Sequence, residues 1–318
     1  MKREISILIN KSEITAGTRG SSLGPEAIMA AARKSSNDYF SKYSISYVDE
    51  FNFMLDHEVI NPYCKRIDTF FKVIESVSGK VRDIVLEGGF PIVISADHGS
   101  AAGTIAGIKS SNPDKRLGVV WIDAHADLHT PYTTPSGNMH GMPLAIALNE
   151  DNKEESINSL SDKAKCVWDE LKSVGYDGVK IKPEDLVFVG VRDTEKQEDA
   201  LINRLNIKNH SVFNIREKGI DFILNEINNQ LNECDMIYVS FDVDSMDPEQ
   251  VSYGTGTPVS GGLRVEEAEF ILSGLVKNEK VVCIEFVEVN PCLDNKKNKM
   301  AEVTFDLLKQ TTLKLSED

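Results

Sequence analysis

The residues able to do chemistry gather where apolar runs give out. Val119-Val120-Trp121-Ile122 leads directly into Asp123-Ala124-His125-Ala126-Asp127. In extended chain alternate side chains share a face, so Asp123, His125 and Asp127 are expected to point one way with only alanines between them. Carboxylates and an imidazole crowded at the end of a buried strand lose hydration and repel one another. A divalent cation resolves that conflict. The mixed oxygen and nitrogen donors suit manganese or another borderline-hard ion better than a thiolate-seeking metal.

The same pattern recurs. Tyr238-Val239-Ser240-Phe241 ends in Asp242-Val243-Asp244, with Asp247-Pro248 just after, and Ile92-Val93-Ile94-Ser95-Ala96 ends in Asp97-His98-Gly99-Ser100. Taken singly, an Asp-His pair is as readily a helix cap, and an Asp-x-Asp a solvated turn. Together the three strand ends offer His98, His125, Asp123, Asp127, Asp242 and Asp244. That carboxylate supply exceeds the needs of one small ion, so two neighbouring metals are expected. Four of the six histidines, His98, His125, His129 and His140, fall between residues 98 and 140. The segment from Thr133 to Pro143 has the composition of a surface loop. Beside a metal strand its hydroxyl and amide groups read as substrate-holding donors, with His140 as a proton shuttle. Glu288, in Ile284-Glu285-Phe286-Val287-Glu288-Val289-Asn290-Pro291, sits at a further strand end, where a carboxylate can grip a cationic substrate.

These residues need a scaffold that brings strand ends together. Short Val/Ile-rich runs predict strands at Ile5–Ile9, Ser44–Val48, Pro91–Ser95, Leu117–Ile122, Leu186–Val191, His210–Phe213, Met236–Phe241 and Lys280–Phe286. Helical spacing of apolar residues predicts helices from Gly24 to about Ala32, and over Arg66–Leu86, Ile220–Leu231, Val265–Val276 and Met300–Leu315. Strand–helix alternation with near-continuous apolar strands predicts a mainly parallel sheet covered by helices on both faces, an α/β fold whose ligands gather at the strands' carboxyl ends. The 318 residues read as one domain, 1–318, with a polar surface insertion around 150–165. The C-terminal stretch after Leu307 reads either as an oligomer arm or as a fraying helix.

Composition narrows the partners. Fifty acidic against 35 basic residues give a net charge of −15, which repels nucleic-acid backbones and anionic lipid. No apolar run approaches the roughly 20 residues of a membrane span. Met1-Lys2-Arg3-Glu4 leads into too short an apolar run for a signal peptide and reads as the start of a strand. Five scattered cysteines without a CxxC pair suit a reducing cytoplasm.

On these motifs the chain resembles the ureohydrolase superfamily, the binuclear manganese enzymes that include arginase, agmatinase and formimidoylglutamase. Asp123-Ala-His-Ala-Asp127, Ser240-Phe-Asp-Val-Asp-x-x-Asp-Pro248 and Gly256-Thr257-Pro258-Val259-x-Gly261-Gly262-Leu263 carry the resemblance, which runs from Gly17-Thr18-Arg19-Gly20 to Glu288-Val289-Asn290-Pro291. Ser136-Gly137-Asn138-Met139-His140-Gly141 is similar to arginase more than to its relatives. The resemblance implies an arginase-like three-layer α/β/α fold and two Mn²⁺ per subunit. It implies one ion on His98, Asp123, Asp127 and Asp242, and the other on His125, Asp123, Asp242 and Asp244. It further implies attack on a guanidinium carbon by a hydroxide between the ions, hydrogen-bonded to Asp127. Glu288 would pair with the guanidinium and His140 would carry a proton to the leaving amine. Thr134, Ser136 and Asn138 would hold the amino-acid end of the substrate, and Thr257 would lie near the guanidinium. A homotrimer or homohexamer in the cytoplasm, and the reaction of L-arginine with water to L-ornithine and urea, complete the expectation.

Three departures from the family pattern stand out. Ser95-Ala96-Asp97-His98-Gly99 replaces the usual Gly-Gly-Asp-His-Ser. His129 stands where arginases place an asparagine that helps hold the substrate carboxylate. Glu195 stands where an aspartate usually meets the α-amino group. The last two alter the amino-acid end of the pocket and motivate the alternatives, agmatine, guanidinobutyrate or a formimino compound as substrate. A non-catalytic metal-binding relative would be expected to lack a ligand, and none is missing. A metal-dependent deacetylase would use a leaner ligand set.

Overall fold

The run Ile92-Val93-Ile94 leaves a strand no polar side to turn toward water, so it must be covered on both faces. The computed structural model describes residues 4–35 and 38–316, and Met1–Arg3 lie outside the described residues. Among the described residues, eight strands form one parallel sheet. They are β1 (Glu4–Asn10), β2 (Ser44–Tyr47), β3 (Gly89–Ser95), β4 (Leu117–Ile122), β5 (Leu186–Val189), β6 (Lys208–His210), β7 (Met236–Asp242) and β8 (Val281–Val287). Ten α-helices surround them: α1 (Gly24–Ser35), α2 (Ile67–Leu86), α3 (Ala101–Ser111), α4 (Pro143–Leu148), α5 (Asp162–Ser173), α6 (Lys196–Leu205), α7 (Val212–Lys218), α8 (Ile220–Gln230), α9 (Val265–Leu275) and α10 (Lys299–Ser316).

Alternation along each strand divides the core in two. Ile7, Ile94, Val120, Phe241 and Phe286 face the layer that holds α1 and α7 to α10. Leu8, Val93, Trp121 and Tyr238 face the layer that holds α2 to α6. The strand order is β2-β1-β3-β8-β7-β4-β5-β6. It sets β3, β8, β7 and β4 side by side at the centre, and the pairings Ser95↔Val287, Asp242↔Val287 and Ile122↔Phe241 level their carboxyl ends.

Three places add to the sequence reading. His210–Phe213, expected as a strand, is divided: β6 ends at His210, and Ser211 caps α7 by accepting a hydrogen bond from Asn214 N at 3.2 Å. The capping serine outweighs the β preference of Val212 and Phe213. The 150–165 segment is stitched to the loop beside it. Asn158 Nδ2 donates to Thr134 O (2.7 Å) and Pro131 O (3.2 Å), Ile157 N and Asn158 N donate to Tyr132 O, and Ser161 then caps α5. Beyond Leu307 the chain continues as helix to Ser316, with Leu308, Thr311 and Thr312 buried.

Candidate metal centre and active-site cleft

Four neighbouring strands deliver their ends to one point. His98, three residues past β3, has its Nδ1 3.0 Å from Asp123 Oδ2, 3.2 Å from Asp127 Oδ2 and 3.1 Å from Asp242 Oδ2. Beside it, His125 Nδ1 lies 3.0 Å from Asp244 Oδ2 and 3.4 Å from Asp123 Oδ1. Backbone groups anchor one oxygen of three of these carboxylates. His125 N donates to Asp123 Oδ1 (2.7 Å), Asp244 N to Asp242 Oδ1 (2.8 Å) and Ala124 N to Asp244 Oδ1 (3.1 Å). Bonds of about 2.0–2.2 Å to one cation place adjacent ligand atoms roughly 3 Å apart, the spacing seen around His98 Nδ1.

The local geometry departs from a continued strand. In extended chain Asp123 and Asp127 would be separated by about 13 Å. Both instead approach the same nitrogen of His98, because the strand ends at Ile122 and Asp127 adopts φ 50°. Glu288 is likewise left-handed, at φ 69°. Of the nine non-glycine residues in that sparsely occupied region among the described residues, Asp127 and Glu288 line the cleft, where the turn aims a carboxylate at the centre.

The electrostatics of the cluster suits a bound cation. Burial, reinforced by the neighbouring carboxylates, pushes Asp242 well above the ordinary range and also raises Asp127 and Asp244. Asp123 moves the other way: burial opposes its ionisation, but His125 and His98 outweigh it and hold it down. Burial would lower His98 and His125, yet the surrounding carboxylates raise both. His98 Nδ1 and Asp123 Oδ2 are buried without a hydrogen-bond partner. Unpartnered buried donors and acceptors are costly, and a cation shared between them satisfies both. The residues therefore fit metal ions, in two overlapping groups: His98, Asp123 and Asp127, and Asp123, His125 and Asp244.

The supporting shell explains how these ligands are aimed. Ser240 Oγ lies 2.7 Å from His98 Nε2, leaving Nδ1 to face the carboxylates. Thr257 Oγ1 donates to Asp244 Oδ2 at 3.0 Å. Arg192 clamps the end of β7 to the 257–261 loop, donating to Asp244 O and Val259 O. Beneath the centre Glu285 is fully buried and accepts from Ser95 Oγ (2.6 Å), Ser100 Oγ (2.8 Å) and Tyr238 OH (2.7 Å). Ser95, one of the departures from the family pattern, thus has a partner. Gly99, another, is required by space, since a Cβ there would lie 2.4 Å from Thr15 Oγ1.

A cleft of about 410 Å³ opens over the centre. His125, Asp127, His129, Thr134, Ser136, Asn138, His140, Glu195, Asp242, Asp244, Thr257 and Glu288 line it, while His98 and Asp123 are buried below. Glu288 Oε1 accepts from His98 N at 2.9 Å and lies 3.6 Å from His140 Nδ1. Burial opposes protonation of His140, but Glu288 prevails and raises it to about 9. Thr134 Oγ1 accepts from Ser136 N and Gly137 N, so it shapes the loop it belongs to. His129 has both ring nitrogens engaged, Nδ1 with Thr133 Oγ1 at 3.2 Å and Nε2 with Glu195 Oε2 at 3.0 Å.

The structure also brings in residues that the sequence reading passed over. Glu198 lines the cleft, accepts from Leu128 N at 3.0 Å and forms a capping box with Glu195, a spacing that is visible in the sequence. Burial raises its carboxyl to about 8. Lys65 touches the Ser136–Asn138 loop from outside, and no local signal marks it.

Comparison with known proteins sets the chain beside arginases. The arginase family model matches residues 4–313. An arginase from Bacillus subtilis is 32% identical over 310 residues, covering 97% of each chain. One from Staphylococcus aureus is 33% identical over 316 residues, covering 96% of each. The crystal structure of arginase from Bacillus cereus superimposes with a TM-score of 0.82 at 30% identity, covering 100% of this chain and 99% of its own.

Proposed function

We propose that this chain, which belongs to the arginase family, hydrolyses L-arginine to L-ornithine and urea with two manganese ions. The observation that carries this reading is the convergence of His98, Asp123, Asp127 and Asp242 on one point, with His125 and Asp244 alongside. His98, Asp123, Asp127 and Asp242 would hold one ion, and His125, Asp123, Asp242 and Asp244 the other. Bound there, manganese would supply a nucleophile at neutral pH by lowering the pKa of water.

The chain's own groups do the rest. Glu288 pairs with the guanidinium and places its carbon over the centre. Asp127 accepts a hydrogen bond from the attacking water and orients it. Attack makes the carbon tetrahedral, and cleavage of its bond to the chain nitrogen releases urea. His140 delivers a proton to that leaving nitrogen. Ser136 and Asn138, on the loop shaped by Thr134, receive the α-carboxylate. Glu195, held by His129, faces the α-ammonium. Thr257 acts through Asp244, which its hydroxyl orients. Assembly as a homotrimer or homohexamer and residence in the cytoplasm belong to the same reading.

The test compares manganese-loaded with chelator-stripped protein for urea release from L-arginine and agmatine. Metal-dependent urea from arginine, with little from agmatine, is expected. Equal turnover of agmatine would overturn the carboxylate-binding roles of Ser136 and Asn138. No urea from either would overturn the reaction itself.

A further inference from the structure

Asn138 owes its orientation to a charge outside the cleft. Lys65 Nζ donates to Asn138 Oδ1 at 2.9 Å, and both groups are partly buried. The contact is built by the backbone as well. Lys65 N donates to Gly137 O at 2.9 Å. Gly137 sits at φ 76°, and a Cβ on it would fall 1.7 Å from Pro62 O. Residues 62–65 therefore press directly on the loop that carries Ser136 and Asn138.

An ammonium has donors and no acceptor, so the amide facing it must present its oxygen. Nδ2 is then turned the other way, toward Gly17, where a Cβ would lie 3.0 Å from it. Gly17 and Asn138 both line the cleft. A flipped amide would instead offer its oxygen to an incoming carboxylate. The ammonium forbids the flip and polarises the amide, strengthening Nδ2 as a donor.

We propose that Lys65 is a positioning residue that sets specificity: by fixing Asn138 with Nδ2 toward the cleft, it makes that end select a substrate bearing an α-carboxylate. The inference rests on the reading above, in which the 134–138 loop holds the amino-acid end of arginine. It adds a residue from a distant segment, acting through Asn138 without touching substrate.

The experiment uses manganese-loaded wild type, Lys65→Met and Lys65→Arg, with L-arginine and L-argininamide as substrates and calorimetric binding of L-ornithine. In Lys65→Met, KM for arginine and Kd for ornithine rise about tenfold while kcat stays within about twofold. KM for argininamide, which lacks the carboxylate charge, moves much less. Lys65→Arg keeps a cationic donor and recovers most of the loss. An unchanged KM for arginine in Lys65→Met overturns the proposal. So does an equal loss on both substrates accompanied by a fall in Tm, which marks simple loop support. A wild-type protein that releases no urea from arginine overturns the parent reading first, and is distinguished by failing before any variant is compared.

Discussion

The imidazole of His98 lies flat on the indole of Trp121, with ring centroids 4.0 Å apart and planes 2° from parallel. Ser240 holds Nε2 at 2.7 Å, so stacking and hydrogen bonding together fix the ring and leave Nδ1 to meet the carboxylates. Trp121 is one of two tryptophans, and the other, Trp168, lies on α5.

That stacking gives metal binding an optical signal. Titrating metal-free protein with paramagnetic Mn²⁺ is expected to quench tryptophan emission in a saturable way, and Trp121→Phe should remove most of the change. Quenching that survives in Trp121→Phe would place the ion away from His98.

Ser240→Ala frees the His98 ring without removing a ligand. Loss of such a supporting hydrogen bond costs about 10- to 100-fold in metal affinity. Competition with a chelator measures this directly. Asp123→Ala removes one of the two carboxylates assigned to both ions and is expected to abolish tight binding altogether. Equal affinities in Ser240→Ala and wild type would show that stacking alone holds the ring.

Glu288→Gln separates charge from structure. A glutamine still accepts from His98 N, so Tm is expected to stay near that of wild type. Pairing with a guanidinium needs the carboxylate, and kcat/KM for arginine should fall at least about a hundredfold. A thermal-shift assay beside a urea assay tests both halves, and a large fall in Tm would show that the charge serves folding.

His210 makes stability depend on pH. It is buried on β6 with Nε2 unpartnered, and burial, aided by the charge of Lys208, lowers its pKa to about 4. The unfolded chain takes up this proton near the ordinary value of about 6.5, whereas the native chain does not. The contribution to stability is therefore complete above about pH 6.5 and is lost as pH falls toward about 4. Urea midpoints of wild type and His210→Gln, compared from neutral pH downward, should show wild type losing ground faster. Parallel curves would refute the assignment.

Much of this was legible locally. Seven of the eight strands were predicted near their observed bounds, whereas the one expected over His210–Phe213 shares only His210 with β6, because Ser211 starts a helix. Helices rich in polar residues were harder to see. On α6, for example, Leu201 is the one apolar residue that is buried. Glu195 and Glu198 show how a capping spacing can be overlooked when each residue is read alone.

The sequence by itself determined which strand ends carry donors, because a polar cluster after an apolar run is a pattern of neighbours along the chain. It also marked the histidine-bearing loop, since hydroxyl and amide groups beside such a strand need no distant partner to be noticed. Only the tertiary structure decided which of them meet. The order β3-β8-β7-β4 joins residues 98, 288, 242 and 123 at one edge, and that order depends on pairing between segments far apart in the chain. Likewise the turn at Asp127, the use of both His129 nitrogens, and the grip of Lys65 on Asn138 come from packing. Strand periodicity says which side a residue takes, but a backbone turn and a contact across 73 positions are settled only when the whole core closes around them.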